Sequence, residues 1–235
     1  MTEYQIIEVS WEEDLLRNRS HPQSVKVTTP GFLDFLKNKY YEYFDAGRPL
    51  DYYSDLSLLL SSFKDPLSGV LDYKVPTDYM LAYYYRRGMV ACVSERVKII
   101  LEDNEVNKEE YILKPIRIKG LSEVYYLFFV PMISRCSAHI VYDESEFYID
   151  DIDSPLHKQI ISIRSDEDYR RIPNLKPRKI VLNTGNIDTR DIYYINGCND
   201  VFFSKKITDA FSCQRIIGAR IVPCGNKCTL FVKNN

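Results

Sequence analysis

The chain is expected to fold as an α+β protein with a largely antiparallel or mixed β-sheet and three or four helices. Three observations predict this. Short β-branched and aromatic runs recur at close spacing through the C-terminal two thirds. Amphipathic helical spacings are few and sit between such runs. One strand, helix, strand pattern occurs twice, from Met89 to Ile116 and from Asn199 to Cys224, so an internal duplication is part of the expectation.

The later pattern defines the unit. Val201 to Phe203 reads as a strand, and Ser204 directly precedes apolar residues at Ile207, Ala210 and Phe211, the spacing of one helix face. Ser204 therefore stands where an N-cap belongs, with a hydroxyl that can accept a hydrogen bond from a free N–H of the first turn. Gly218 breaks the helix, and Ala219 to Val222 resume an extended run that Pro223 closes. In the earlier copy Val90 to Val93 is the strand, Ser94 the cap, and Val97, Ile100 and Leu101 the apolar face; Tyr111 to Leu113 returns as a strand closed by Pro115.

The remaining elements follow in order. Tyr4 to Val9 alternates as an opening strand. Thr29-Pro30 is a cap and first position for a helix carrying Phe32, Leu33, Phe35 and Leu36. Asp45 to Tyr53 reads as a loop, Ser54 to Ser62 is an apolar piece of either type, and Lys64 to Gly69 has the composition of a turn. Thr77-Asp78 suits the start of a helix through Leu81, whereas Tyr83 to Tyr85 favours a strand. Val124 to Val130 is a strand buried on both faces. Ala138 to Tyr142 and Phe147 to Ile152 form a hairpin across Asp143-Glu144-Ser145-Glu146, and Ile160 to Ile163, Ile180 to Leu182 and Ile192 to Ile195 add short strands, with a helical turn at Asp166 to Arg171. No linker composition intervenes, which predicts a single domain, 1–235, with a helix-containing part over about 1–88 packed on a β-rich part, 89–235.

Composition bounds the function classes. With 45% hydrophobic and 27% charged residues the chain is globular, not disordered. The longest apolar run, Val124 to Ile133, contains Pro131 and is too short to span a bilayer. The first residues lack a basic flank followed by an apolar core, so a cytoplasmic location is the expectation. Residues through Asp153 hold 26 acids against 17 Lys and Arg, while those after it hold 7 against 14. A basic nucleic-acid-binding domain is not the pattern, and no direct nucleic-acid partner is expected.

The search for chemistry finds no assembled motif. The three histidines, His21, His139 and His157, fall in neither HExxH nor HxH spacing, and His139 and Cys136 would lie on opposite faces of a strand. The Walker, GxGxxG and GxSxG patterns are absent; Thr184-Gly185-Asn186 reads as a turn, with a phosphate-contacting loop as its sharper alternative. The six cysteines read as reduced thiols. Cys224 and Cys228 have no second pair to complete a zinc site, and Gly225-Asn226 reads as a hairpin turn between Ile221 to Cys224 and Cys228 to Val232. No metal, cofactor or catalytic residue is expected, although an enzyme whose site is assembled from scattered residues is the alternative.

Two features suit protein binding. The chain has 19 tyrosines, a residue enriched at interfaces and also a good strand former. Asp143, Glu144, Glu146, Asp150, Asp151 and Asp153 form an acidic stretch without a basic residue among them, which reads either as a solvated turn or as a patch for a basic partner.

The two elements VSERVKIILEDNEVNKEEYILKPI and DVFFSKKITDAFSCQRIIGARIVP, opened by Ser94 and Ser204, resemble the strand and Ser-capped helix element of immunity proteins from bacterial polymorphic toxin systems. In that family the helix is followed by a Gly-containing turn, as at Ile217-Gly218; the first copy has Asn107-Lys108-Glu109 instead. The resemblance implies a small cytoplasmic inhibitor that binds and blocks a cognate toxin and needs no catalytic residues. In this reading Ser94 and Ser204 are structural caps and the acidic stretch is the candidate contact for a basic, nucleic-acid-acting toxin.

Overall fold

The computed structural model describes residues 1–10, 24–40, 52–72, 75–82, 89–132, 136–183, 185, 190–195, 200–223, 225 and 227–233. Their strands divide between a closed barrel and an open sheet. Together with five α-helical segments they make the expected mixed α+β fold. Trp11, His21, Tyr83 to Tyr85, Thr184, Asn186, Cys198 and Cys224 lie outside the described residues. No helix among the described residues is long and apolar enough to cross a membrane.

The barrel is built from β2 (Ser24–Val27), β3 (Leu67–Leu71), β6 (Ile112–Ile118), β7 (Val124–Phe129), β5 (Met89–Ser94) and β4 (Tyr79–Ala82) in that order, closed by a parallel contact of β2 with β4. Helices α1 (Phe32–Asp34, continuing as a π-helical turn through Tyr40) and α2 (Tyr52–Ser61) contribute Phe32, Phe35, Leu36, Leu56 and Leu60 to its core. The open sheet runs β11 (Ile192–Tyr194), β12 (Val201–Ser204), β1 (Thr2–Val9), β14 (Thr229–Lys233), β10 (Leu175–Asn183), β8 (Glu146–Ile149), β9 (Ile160–Ile161), with β13 (Ala219–Val222) also on β1. A second apolar cluster, including Tyr4, Phe147, Ile180, Tyr193 and Phe202, packs on it. Helices α3 (Glu95–Asp103) and α5 (Lys205–Cys213) follow β5 and β12, with the short α4 (Asp166–Arg171) between them in sequence; α3 and α5 bury their expected faces in the larger cluster, with Ala210 only partly covered.

The repeat extends well beyond the two patterns seen in the sequence. In the barrel half Val27 faces Gly69 antiparallel, Thr28 N–H donates to Ser68 O at 2.7 Å, and Leu67 faces Ile116 in a parallel pair. In the other half Ile140 faces Leu182 antiparallel, Val141 N–H donates to Val181 O at 2.8 Å, and Ile180 faces Leu230 in a parallel pair. Ser94 lies opposite Tyr125 of β7, and Ser204 opposite Tyr4 of β1. The first strand of the chain thus does for the second half what β7, near the end of the first half, does for the barrel.

Both helices also end alike. Glu105 and Arg215 follow the C-caps Asn104 and Gln214 at φ 52° and 50°, and Val106 N–H to Leu101 O (3.0 Å) repeats as Ile216 N–H to Phe211 O (3.1 Å). This is the Schellman end, in which a left-handed residue turns the chain and the following apolar residue folds back; Val106 and Ile216 are both buried.

Several local expectations change. Ala138 to Tyr142 and Phe147 to Ile152 do not pair as a hairpin: Cys136–His139 and Tyr142–Glu144 are 3₁₀ turns. Ile140 pairs with Leu182 and Glu146 with Lys179, so the flanks of the acidic turn lie along one strand, β10, and cannot pair with each other. Ser145 fixes the excursion, its hydroxyl donating to Val141 O (2.8 Å) and accepting from Val181 N–H (3.0 Å). Nor do β13 and β14 form a hairpin around Gly225. Both run antiparallel to β1, at Ile6–Val222 and Tyr4–Leu230, and hence in the same direction end to end. Pro115 does not close its strand: β6 continues to Ile118, with Pro115 one residue before the β3 ladder begins at Ile116. Gly69 lies inside β3, not in a turn, because Ile116 fills the space a side chain would need, its Cδ1 lying 2.7 Å from a would-be Cβ. Thr77-Asp78 precedes a strand, β4, and not a helix.

Candidate functional site

Ser94 and Ser204 occupy the N-cap positions of α3 and α5 with extended backbone, and neither hydroxyl accepts a bond from its helix. Each donates instead to an aspartate that precedes the neighbouring strand. Ser94 Oγ reaches Asp78 Oδ1 at 2.8 Å and Ser204 Oγ reaches Asp191 Oδ1 at 2.6 Å; the serine N–H groups donate to the same residues' carbonyls at 2.9 and 2.8 Å. The capping role expected of the side chains is therefore corrected. They tie the strand end to its neighbour, and the aspartates, which no local sequence signal marks, are the acceptors.

The second Oδ of each aspartate takes a cation two residues into the helix. Arg96 Nη1 donates to Asp78 Oδ2 and Lys206 Nζ to Asp191 Oδ2, both at 2.7 Å. Each cation then crosses to the other helix: Arg96 Nη2 donates to Gln214 O at 2.5 Å and Lys206 Nζ to Asn104 O at 2.8 Å, the C-cap carbonyls where a helix concentrates partial negative charge. The halves are clasped reciprocally. The symmetry breaks at the residue after each aspartate. Tyr79 N–H donates to Ile217 O (3.0 Å), but its counterpart Ile192 N–H donates to Glu110 Oε2 (2.9 Å), which also accepts from Asp191 N–H (2.8 Å). Burial pushes the Glu110 carboxyl up to about 7, against these two N–H bonds. The paired tyrosines respond to the same surroundings: burial first, then the charge of Asp78, pushes Tyr125 up to about 12, and burial with Tyr193 and Asp191 raises Tyr4.

The acidic stretch separates into two sets. Glu144 pairs with Lys233, Glu146 lies 3.9 Å from Arg178, and Asp151 accepts from the Asn174 amide (3.2 Å) and Asp153 N–H (3.1 Å). Asp143, Asp150 and Asp153 are exposed, and among the described residues nothing engages their carboxylates. Asp143 also lines an open groove of about 880 Å³ with His139, Tyr142, Arg164, Asn183 and Gly185. The groove lies where the repeat departs from the barrel. In the barrel the ladder of β2 with β3 continues through Lys26–Val70 and Val25–Leu71; here Ile140–Leu182 is an isolated bridge, and His139, which would pair next with Asn183, belongs to the 3₁₀ turn Cys136–His139. His139 and Gly185 thus both line this groove, although no local pattern in the sequence links them; the side chain of Cys136 lies outside the described ones. His157 lies elsewhere, bridged to Ile149.

Among the described residues Cys92 and Cys213 carry free thiols, Cys228 Sγ donates to Thr229 O at 3.8 Å, and burial pushes the Cys92 thiol well above its usual range. Among the described residues no group of three or more His, Cys, Asp or Glu side chains could hold a metal ion. No family model matches the chain, and no curated protein does.

Proposed function

We propose that the chain is a non-enzymatic inhibitor of the immunity-protein type, binding a cognate toxin with a basic active surface. The observation that carries this reading is the set of exposed carboxylates Asp143, Asp150 and Asp153, which have no described partner and stand in a stretch, 143–156, that contains no Lys, Arg or His. Free carboxylates of one sign raise the rate of encounter with a basic partner and can take the place of phosphates in a nucleic-acid-acting site.

The test is co-expression with the protein encoded directly beside this chain's gene, scored by rescue of growth, followed by association kinetics. Changing Asp143, Asp150 and Asp153 to Asn is expected to slow association about tenfold at low salt and to have little effect at high salt, where screening already operates over less than 8 Å. Changing Glu144, Glu146 and Asp151 to their amides is expected to act on stability instead. Equal association rates for parent and triple variant at low salt, or no rescue, sinks the reading.

A further inference from the structure

Ile152, Leu156 and Ile160 account for three of the seven exposed large apolar side chains among the described residues, and they fall within nine positions of one another. Ile152 is 83% exposed. The segment that carries them is not a loose connection. Asp151 O accepts from Ser154 N–H (3.1 Å), Ser154 O from His157 N–H (3.0 Å), Leu156 O from Gln159 N–H (3.0 Å), and Lys158 N–H returns to Ile149 O (2.8 Å), closing the loop on the strand it left. Side chains brace it further: Asp151 holds Asp153 N–H and Asn174, Ser154 Oγ accepts from Leu156 N–H (3.2 Å), and the Gln159 amide donates to Pro155 O (3.3 Å).

A loop fixed by its own hydrogen bonds that still presents aliphatic side chains to water incurs the hydration cost of apolar exposure without the freedom to hide it. The same rigidity removes most of the ordering cost of binding. Exposed apolar groups gathered in one place mark contact surfaces, and binding energy concentrates in a few such anchors ringed by polar groups. Here the ring is acidic at the loop's entry, with Asp150 and Asp153 exposed on either side of Ile152, while Lys158 stands at its exit.

We propose that the loop Asp150 to Gln159 is the energetic centre of a protein-binding surface, with Ile152 and Leu156 entering an apolar pocket of the partner whose rim carries Lys or Arg to meet Asp150 and Asp153. This rests on the protein-binding reading above and assigns that interface to one face. The occupant is a partner of opposite charge, since a basic rim complements Asp150 and Asp153, which a second copy docked loop to loop would meet with the same two carboxylates.

The probe is a phage-displayed library of random twelve-residue peptides, selected on the full chain. Enriched peptides are expected to combine Lys or Arg with large apolar residues. They should lose at least tenfold in affinity for the variant carrying Ile152→Ser and Leu156→Ser, and should keep it for Leu58→Ser, which removes an apolar group 71% exposed on another element. Hydrogen exchange of the double variant, unchanged outside the loop, separates lost contact from lost fold. The inference is overturned if nothing is enriched, if enriched peptides bind the double variant as well as the parent, or if sedimentation shows the parent self-associating through this loop. Toxin rescue unaffected by the double variant would overturn it while leaving the inhibitor reading standing; loss of all rescue with the peptide map intact would do the reverse.

Discussion

Arg96 and Lys206 each bind the C-cap carbonyl of the other's helix while held by their own aspartate, so neither helix is anchored at both ends without the other. The cations are about half exposed, and each pair alone is worth about 1 kcal/mol or less. Asp78 is the stronger member of its group. It is nearly buried and accepts from Ser94, Arg96 and Ile217 N–H (3.0 Å), whereas Arg96 retains solvent. Asp78→Ala is expected to cost about 3 kcal/mol in denaturant unfolding and Arg96→Ala about 1 kcal/mol or less, since only the first leaves buried donors unmet.

Ser94→Asp and Ser204→Asp separate the two roles available to these serines. Aspartate is as good an N-cap as serine, so a capping side chain would tolerate the change. A donor to Asp78 or Asp191 would not, because the exchange sets two carboxylates against each other in a largely buried site. Each variant is expected to lose about 2 kcal/mol or more near neutral pH, against about 1 kcal/mol for the alanines, measured by urea unfolding.

Glu110 sets a pH dependence. Its folded carboxyl titrates at about 7 against a reference of 4.5, so between these values the folded state holds a proton the unfolded state has lost. The contribution of this group is therefore most favourable below about 4.5 and declines as pH rises toward 7. Glu110→Gln is expected to flatten that decline while keeping an oxygen for the N–H groups of Asp191 and Ile192. Unfolding free energies of parent and variant across this range check it; parallel curves would refute the assignment.

Gly218 lies at φ 86°, and a Cβ there would meet Tyr79 O at 2.4 Å and Thr77 Oγ1 at 2.7 Å. Gly218→Ala is expected to destabilise by on the order of 2 to 4 kcal/mol, whereas Gly225→Ala, with nothing among the described residues within 4 Å of a Cβ and a similar φ, is expected to cost about 1 kcal/mol. Thermal unfolding of the two variants gives the comparison.

The helical units were legible because their signals are local. Val97, Ile100 and Leu101 lie on one turn, as do Ile207 and Phe211, and a serine before a helical face marks a boundary whatever its hydroxyl does. The receiving aspartates were not legible, since Asp78 and Asp191 lie sixteen and thirteen residues from their serines and only strand pairing brings them near. Residues 138–146 misled for a related reason. Alternating residues around an acidic turn suit a hairpin, but β10 offers both flanks a longer partner. The acidic stretch was visible as composition; that Glu144, Glu146 and Asp151 are engaged while Asp143, Asp150 and Asp153 are not depends on Lys233, Arg178 and Asn174, all distant in sequence.

The two ends of the chain meet in β1 and β14, where Thr2 faces Val232. A short linker from the last residue to the first, with new termini opened within 133–135, would place the two halves one after the other in the same strand order. Such a permuted chain is expected to fold to the same structure, with circular dichroism and thermal unfolding like the parent's.

Because β1 serves the second half, the order of synthesis matters to the native arrangement. All the barrel strands, from Ser24 to Phe129, leave the ribosome in one continuous stretch and can pair while the rest is still being made. β1, made before them, has no such opportunity. Its partners β12, β13 and β14 follow the whole barrel in sequence, so it stays unpaired with two free edges while the barrel strands are being made. The waiting segment, TEYQIIEV, carries two carboxylates among its apolar residues, the kind of charge that keeps an unpaired strand from joining the wrong neighbour.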